Sequence, residues 1–371
     1  MIETRAPGKL YLAGEYAVVE PGQPAVLMAV DRYLTVRLTE SEGMGRVHSR
    51  AYGHGPVTWV RDQDGEHIVV DHSPFDYVTA AITVMESLRS ERGLPPRYFD
   101  LFIDSELDDL SGRKFGLGSS AAVTVAVIAA LDAFYRTGLS VDERFRLALL
   151  ATIHVAPSAS GGDVAASTFG GWITYTSPDR AALLERSRTS TVTQMLSAPE
   201  WDLCRVVHLG SMHGLRPLVG WTGSPASTER LVDRVRMSED DLDAHYAAFL
   251  AHSRDAVGAL VSAWDHDPAT VLDVIRRCRR LLQHLGDLRG TMIETEQLTT
   301  LCDLAEAQGA AAKPSGAGGG DCGIVVLPSD QDETPMLEAW QAHGILRLDL
   351  SVHDPSQASV RESGVAAEVV L

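Results

Sequence analysis

Lysine is nearly absent from this chain. Of 32 basic residues only three are lysines, Lys9, Lys114 and Lys313; the rest are arginines. Cysteine is scarce as well. Cys204, Cys278, Cys302 and Cys322 are widely spaced and match no zinc or disulfide framework, which points to a reduced, cytoplasmic setting with no thiolate-held metal. Positive charge is short overall: against 50 acidic residues the formal net charge is −18. Such a balance argues against nucleic acid or an anionic membrane as partner. No apolar run reaches membrane-spanning length, and the N-terminus MIETRAPGKL lacks the basic-then-apolar layout of a secretion signal. There is no internal repeat. What remains is an ordinary globular composition, 45% hydrophobic over 371 residues, enough chain for two domains.

The lysines that are present sit beside glycines, in PGKLYLAGEY, RKFGLGSS and KPSGAGGGD. Lysine is a compact point charge that suits a phosphate on a crowded loop, whereas arginine is a wide planar fork. An acidic protein that handles anions must gather positive charge locally, and these three lysines would do so. The central stretch is Lys114 to Ala122, KFGLGSSAA. A strand-like run, Phe99 to Ile103, precedes it, and a helix-fit apolar run, Val123 to Phe134, follows. Gly116 and Gly118 then fall just ahead of a helix start, with Ser119 and Ser120 in its first turn. Helix N-termini carry unpaired N–H groups and partial positive charge, and glycine lets the backbone approach a phosphate closely.

Other segments follow local rules. Lys9 to Leu12 reads as a short strand after a Pro7-Gly8 turn, with Gly14 as a bend that presents Glu15 and Tyr16. Ala25 to Leu38 continues as strand, and Val57 to Val70 reads as a hairpin turning at Asp64-Gly65. A helix is expected from Ser73 to Arg92, and Ser140 with Glu143 forms a capping box for another. Ser158 to Trp172, SASGGDVAASTFGGW, is rich in small residues around a single acid. That acid, Asp163, is placed to orient a nucleophile or Mg²⁺, or else simply to cap a helix. Beyond a polar, helix-prone link at 180–200, strands are expected at Cys204 to Leu209, Leu215 to Trp221, Ile324 to Leu327 and Ile345 to Val352. Helices are expected near Thr228 to Val235, Asp240 to Trp264, Pro268 to Leu285, Gln297 to Gln308 and Met336 to His343. Trp221 fits a core role as well as a ligand contact. The basic cluster Arg276 to Arg280 reads as a solvated helix face, and the tail after Pro355 as weakly structured. The glycine run Ser315 to Gly320 leads straight into an apolar strand, so it reads as a loop able to reach over a ligand and not as a linker.

PGKLYLAGEYA, KFGLGSS and KPSGAGGGD, in that order, resemble the GHMP kinases, the family of galactokinase, homoserine kinase, mevalonate kinase and phosphomevalonate kinase. The likeness spans nearly the whole chain. KFGLGSS, SGGDVAAS followed by GGW, LVGWTG and KPSGAGGGDCG look like the phosphomevalonate branch, and Tyr16 stands where mevalonate kinases usually carry His. Pro157-Ser158-Ala159 departs from relatives that often carry Gly and a basic residue before Ser160. The resemblance implies an α+β fold, with a ribosomal-protein-S5-type domain over residues 1–185 and a ferredoxin-like domain over 186–371. It implies ATP-dependent phosphoryl transfer, with Mg²⁺, to (R)-5-phosphomevalonate. By resemblance, Lys114, Gly116, Leu117, Gly118, Ser119, Ser120 and Ala121 bind ATP. Ser119 or Ser120 helps hold Mg²⁺, the other hydroxyl being expected at the helix cap. Lys9, Glu15, Tyr16, Ser160, Gly161, Ser315, Gly316, Ala317 and Gly318 are the substrate-side residues, and Asp163 matches the family's catalytic-loop acid beside Lys9 and Lys114.

The chemistry adds one expectation. The implied acceptor is a phosphate monoester, whose second proton leaves near pH ~6, so a strong general base would be unnecessary. Bringing two anions together is the harder task, and positioning and positive charge should dominate. Lys9 therefore ranks above Asp163. Three rivals remain: a sister kinase acting on an alcohol such as mevalonate, a non-catalytic ligand-binding regulator on the same fold, and glycine loops that are structural only and bind no nucleotide. Monomer and homodimer both fit the sequence.

Overall fold

The computed structural model describes residues 1–53, 55–63, 68–70, 76–109, 112–223, 243–357 and 360–362. Its strands are β1 (Ile2–Ala13), β2 (Pro24–Ser41), β3 (Gly45–Ser49), β4 (Val57–Arg61), β5 (Ile68–Val70), β6 (Tyr98–Ser105), β7 (Trp172–Thr176), β8 (Arg205–Leu209), β9 (Leu215–Trp221), β10 (Ala311–Pro314), β11 (Cys322–Pro328), β12 (Leu346–Leu348) and β13 (Val360–Glu362). Its α-helices are α1 (Tyr77–Glu91), α2 (Ser119–Tyr135), α3 (Val141–Val155), α4 (Gly162–Phe169), α5 (Arg180–Ser187), α6 (Val192–Leu196), α7 (Asp243–Ala263), α8 (Pro268–Arg289), α9 (Glu296–Glu306) and α10 (Thr334–Ala342).

Two sheets organise these elements. The larger runs β13-β1-β2-β6-β3-β4-β5, with β7 pairing β2 and β8 pairing β7. The 18-residue β2 is long enough to serve two neighbours: Pro24 to Met28 pair with β7, and Leu34 to Ser41 pair with β6. The smaller sheet is β10-β11-β9-β12. Helix α2 is apolar on every side, as a helix buried on all faces must be. Its alanines let it lie close to β1 and β2. The main hydrophobic core takes residues from both sheets, including Leu10, Leu27 and Ile324, and from α2, including Val127. A second cluster around Trp340 and Leu301 lies on the outer face of the small sheet.

Several expectations change. The first strand is far longer than Lys9 to Leu12, because Pro7-Gly8 is absorbed as a register shift against β2 and not as a turn. Helix α1 starts at Tyr77, capped by Asp76 in a reciprocal box with Thr79. The Ser73-Pro74 opening, the Asp64-Gly65 turn and the Thr228 to Val235 helix lie outside the described residues. The tail after Pro355 is not all irregular, since β13 pairs antiparallel with Ile2 to Thr4. The expected strand Ile345 to Val352 is reduced to β12 plus a bridge from Val352 to Val30. Arg279 of the basic cluster is not solvated: it is buried and ion-paired with Glu294, Asp303 and Glu306. The capping box at Ser140 and Glu143 is present as expected. All four cysteines are free. Among the described residues, no helix is long and apolar enough to cross a membrane.

Candidate active site

The glycine loop ahead of α2 is built on left-handed backbone. Gly116 and Gly118 have φ +80° and +81°, and Gly118 is the N-cap of α2. Each glycine also meets a neighbour that leaves no room for a Cβ. At Gly118 it would lie 2.8 Å from Lys9 Cε, and at Gly116 2.6 Å from Asp321. The cap itself corrects the serine expectation. Neither Ser119 nor Ser120 caps α2, because a left-handed glycine already turns the chain; both hydroxyls stand in the first turn, half-buried, beside the cleft.

β1 delivers Lys9 to this loop. Its N–H donates to Leu117 O at 2.9 Å, and its ammonium donates to Gly116 O at 3.1 Å. A Cβ on Gly316 would lie 3.9 Å from the same Nζ, so Lys9 stands between the two glycine loops. The second loop is fixed to β1 by Ser315, whose hydroxyl accepts from Tyr11 N–H at 2.8 Å and donates to Tyr11 O at 3.0 Å. The bend after β1 is as sharp as its sequence suggests. Gly14 has φ +91°, and a Cβ there would lie 2.5 Å from Pro24 O. Tyr16 follows at φ +61°, and its hydroxyl donates to Ala317 O at 2.6 Å.

The acidic segment also lines the cleft, with Ser160 and Asp163. Asp163 lies in the first turn of α4, where the helix dipole favours a carboxylate, and its Oδ1 accepts from Val164 N–H at 3.0 Å. Gly161, not Asp163, is the cap. Tyr11 and Ser160 share a hydrogen bond of 2.9 Å between their hydroxyls. Burial, and then the nearby Asp163 carboxylate, push the Tyr11 phenol well above the ordinary tyrosine range, so it stays protonated. The loop before Ser160 lacks a basic residue of its own, but buried Arg180 donates to the carbonyls of Ala159 and Val19 from behind it.

One cleft of about 280 Å³ collects most of the expected residues: Lys9, Glu15, Tyr16, Lys114, Gly116, Leu117, Gly118, Ser119, Ser120, Ser160, Asp163, Ser315, Gly316 and Ala317. Three do not line it. Ala121 is turned into the core from α2, Gly161 is backed by Leu149 and Tyr175, and Gly318 is pressed against the carbonyl of Ile293. Their places in the motifs reflect packing and backbone geometry. Lys313 also departs from expectation. It is fully buried and ion-paired with Glu15, so of the three lysines only Lys9 and Lys114 face the cleft. Trp221 is core: it stacks edge-on against Phe115 at 4.9 Å behind the loop.

The structure adds Tyr11, Val18, Val19, Tyr77, Leu107, Ser158, Ala159 and Asp321 to the walls. Tyr11 had a signal, since period-two alternation puts it on the same strand face as Lys9, and Lys9 Nζ lies 5.6 Å from its ring centre. Asp321 ends the glycine run and is brought to Gly116 only by tertiary folding. The oxygen groups at the cleft, Ser119, Ser120, Asp163 and Asp321, are hard donors. Among the described residues no cluster of three or more His, Cys, Asp or Glu could cage a metal. Such a donor set suits Mg²⁺ shared with substrate phosphates.

Comparison with known proteins identifies the architecture. Residues 76–171 match the family model of the GHMP kinases N terminal domain, and residues 259–346 that of the GHMP kinases C terminal. The phosphomevalonate kinase of Streptomyces sp. (strain CL190) is 45% identical over 364 residues, covering 94% of this chain and 96% of that protein. A crystal structure of a Listeria innocua protein superposes with TM-score 0.88 at 34% identity, covering 97% of this chain and 98% of that one. The Streptococcus pneumoniae phosphomevalonate kinase, in complex with phosphomevalonate and AMPPNP, superposes with TM-score 0.83 at 26% identity, covering 95% of this chain and 100% of that one. With both family models in order and this identity sustained end to end, the two-sheet fold and its glycine loops are those of a GHMP kinase, and the chain belongs to that family.

Proposed function

We propose that this protein is an ATP-dependent kinase that phosphorylates (R)-5-phosphomevalonate, giving 5-diphosphomevalonate and ADP in the mevalonate route to isoprenoids. The carrying observation is Lys9, held by the Gly116–Gly118 loop on one side and close to the Gly316 loop on the other, in a chain this similar to phosphomevalonate kinases. An oxygen of the acceptor phosphate attacks the γ-phosphorus of ATP; the bond from that phosphorus to the β-bridging oxygen breaks, and ADP leaves with the electron pair. The acceptor is largely ionised at neutral pH, its second proton leaving near pH ~6, so the protein's task is electrostatic and positional.

In this reading Gly116 to Ser120 cradle the ATP phosphates and Lys114 lies beside them. Lys9 spans the donor and acceptor phosphates. Tyr11, Tyr16, Ser160 and Ser315 to Ala317 shape the acceptor side. Asp163 orients acceptor or metal. Mg²⁺, when bound, would neutralise charge on the ATP phosphates; Ser119 or Ser120, with the nearby carboxylates, would hold it. We read the N-terminal unit as residues 1–185 and the C-terminal unit as 186–371, although β8 and β13 return to the larger sheet.

The test is ADP release with phosphomevalonate and, separately, mevalonate. Turnover is expected with phosphomevalonate and not with mevalonate. A preference for mevalonate would favour the alcohol-kinase rival, and no turnover with either the regulator.

Ser119→Ala and Ser120→Ala should differ in Mg²⁺ dependence. Because neither hydroxyl caps α2, neither change should carry the roughly 1 kcal/mol loss of a removed cap. Matching Mg²⁺ titrations for both variants and wild type would rule out a metal role for either serine. A Tm drop in one alone would restore it as a cap.

A further inference from the structure

Glu15 is a carboxylate in a cleft proposed to bring two anions together. It lines that cleft, yet its residue is only 4% exposed. Its partner comes from the other sheet. Lys313 of β10, with no exposed surface, donates from its ammonium to the Glu15 carboxylate and, at 2.6 Å, to Pro314 O. The next residue along, Tyr16, sits at φ +61° with its hydroxyl bonded to Ala317 O. The elbow after β1 is therefore held at two points by the segment that runs from β10 into the glycine loop.

This arrangement has a charge consequence. In a poorly hydrated cleft, an uncompensated carboxylate on the wall would repel an anionic ligand more strongly than it would in water. Paired with Lys313, Glu15 adds no net charge there, and the field from Lys9 and Lys114 is left unopposed by it.

We infer that Lys313 is a positioning residue for the phosphorylated acceptor: it neutralises Glu15, so that this carboxylate adds no negative charge to the acceptor wall. This inference rests on the reaction proposed above. It gives the third lysine a role that is neither catalytic nor merely architectural. It also makes Glu15 a compensated wall residue and not a ligand of the acceptor.

The test is a charge-rescue cycle at one pH, with KM for phosphomevalonate and for ATP measured in wild type, Lys313→Met, Glu15→Gln and the double variant. Lys313→Met should raise KM for phosphomevalonate by roughly tenfold while KM for ATP moves by less than about threefold. The double variant should return the acceptor KM to within about threefold of wild type, and Glu15→Gln alone should not raise it beyond that margin. An unrescued double variant, an equal rise in both KM values, or a Glu15→Gln effect as large as that of Lys313→Met would each overturn the inference. If Lys313→Met is insoluble, the double variant and Glu15→Gln decide by the same criteria. The wild-type control separates the two claims. Absence of phosphomevalonate turnover in wild type overturns the proposed reaction and this inference together, whereas normal wild-type turnover with failed rescue overturns the inference alone.

Discussion

Lys9→Ala is expected to lower kcat by roughly 10²–10³-fold, the effect of removing about 2.7–4 kcal/mol of transition-state charge stabilisation. The loss should fall on turnover because the developing charge, more than ground-state binding, is what the ammonium meets. Folding should survive. The Lys9 N–H to Leu117 O bond and the pairing of Lys9 with Ala29 belong to the main chain and are untouched. Lys9→Met, which keeps the stem lying against Gly118, should be as inactive as the alanine variant. Lys9→Arg should also be poor: the compact ammonium donates to Gly116 O at 3.1 Å, a point contact that a wider, planar guanidinium does not reproduce. Steady-state kinetics with a thermal melt on the same preparations checks this. Near-wild-type kcat in either the alanine or the methionine variant would remove Lys9 from the chemistry.

What could be read from the sequence divides by physical cause. The glycine loops were legible because each depends on backbone that other residues adopt poorly. Gly14, Gly116 and Gly118 all have positive φ, and such positions leave a compositional mark. The capping box at Ser140 was legible for the same local reason. The extent of β1 was misread because Pro7-Gly8 looks the same in sequence whether it makes a turn or a register shift; only pairing with β2 decides between them. The fate of Lys313 was hidden because its partner Glu15 lies 298 positions away, and burial of the pair depends on how β10 meets the first elbow. Arg180 was hidden likewise. It serves the Ala159 loop from the start of α5, where sequence shows only a polar, helix-prone link. The places of β8 and β13 in the larger sheet follow from edge pairing, which no local pattern encodes.

Asp163→Asn should separate an orienting carboxylate from an obligatory base. Asn keeps the Oδ1 that accepts from Val164 N–H, so the side chain should stay in place while its charge is lost. Removing the charge also removes one of the influences that push the neighbouring Tyr11 phenol upward, but burial, the larger influence, remains, so that hydroxyl stays protonated at working pH. A side chain that accepts the reacting proton is worth about 10²–10⁴-fold. With an acceptor that ionises by itself, the expected loss lies at the bottom of that range, about 10²-fold below pH ~6, and shrinks as the pH rises through the acceptor's second ionisation. The sign follows from the substrate. At low pH the acceptor still carries its last proton and gains most from a nearby carboxylate, whereas at higher pH it arrives as the dianion and needs only to be held. The measurement is kcat against pH for wild type and Asp163→Asn at saturating MgATP, with folding checked at each pH. A variant that binds both substrates yet is inactive at every pH would end the orienting role; Mg²⁺ titration of that variant would then tell an essential base from an essential part of the metal site.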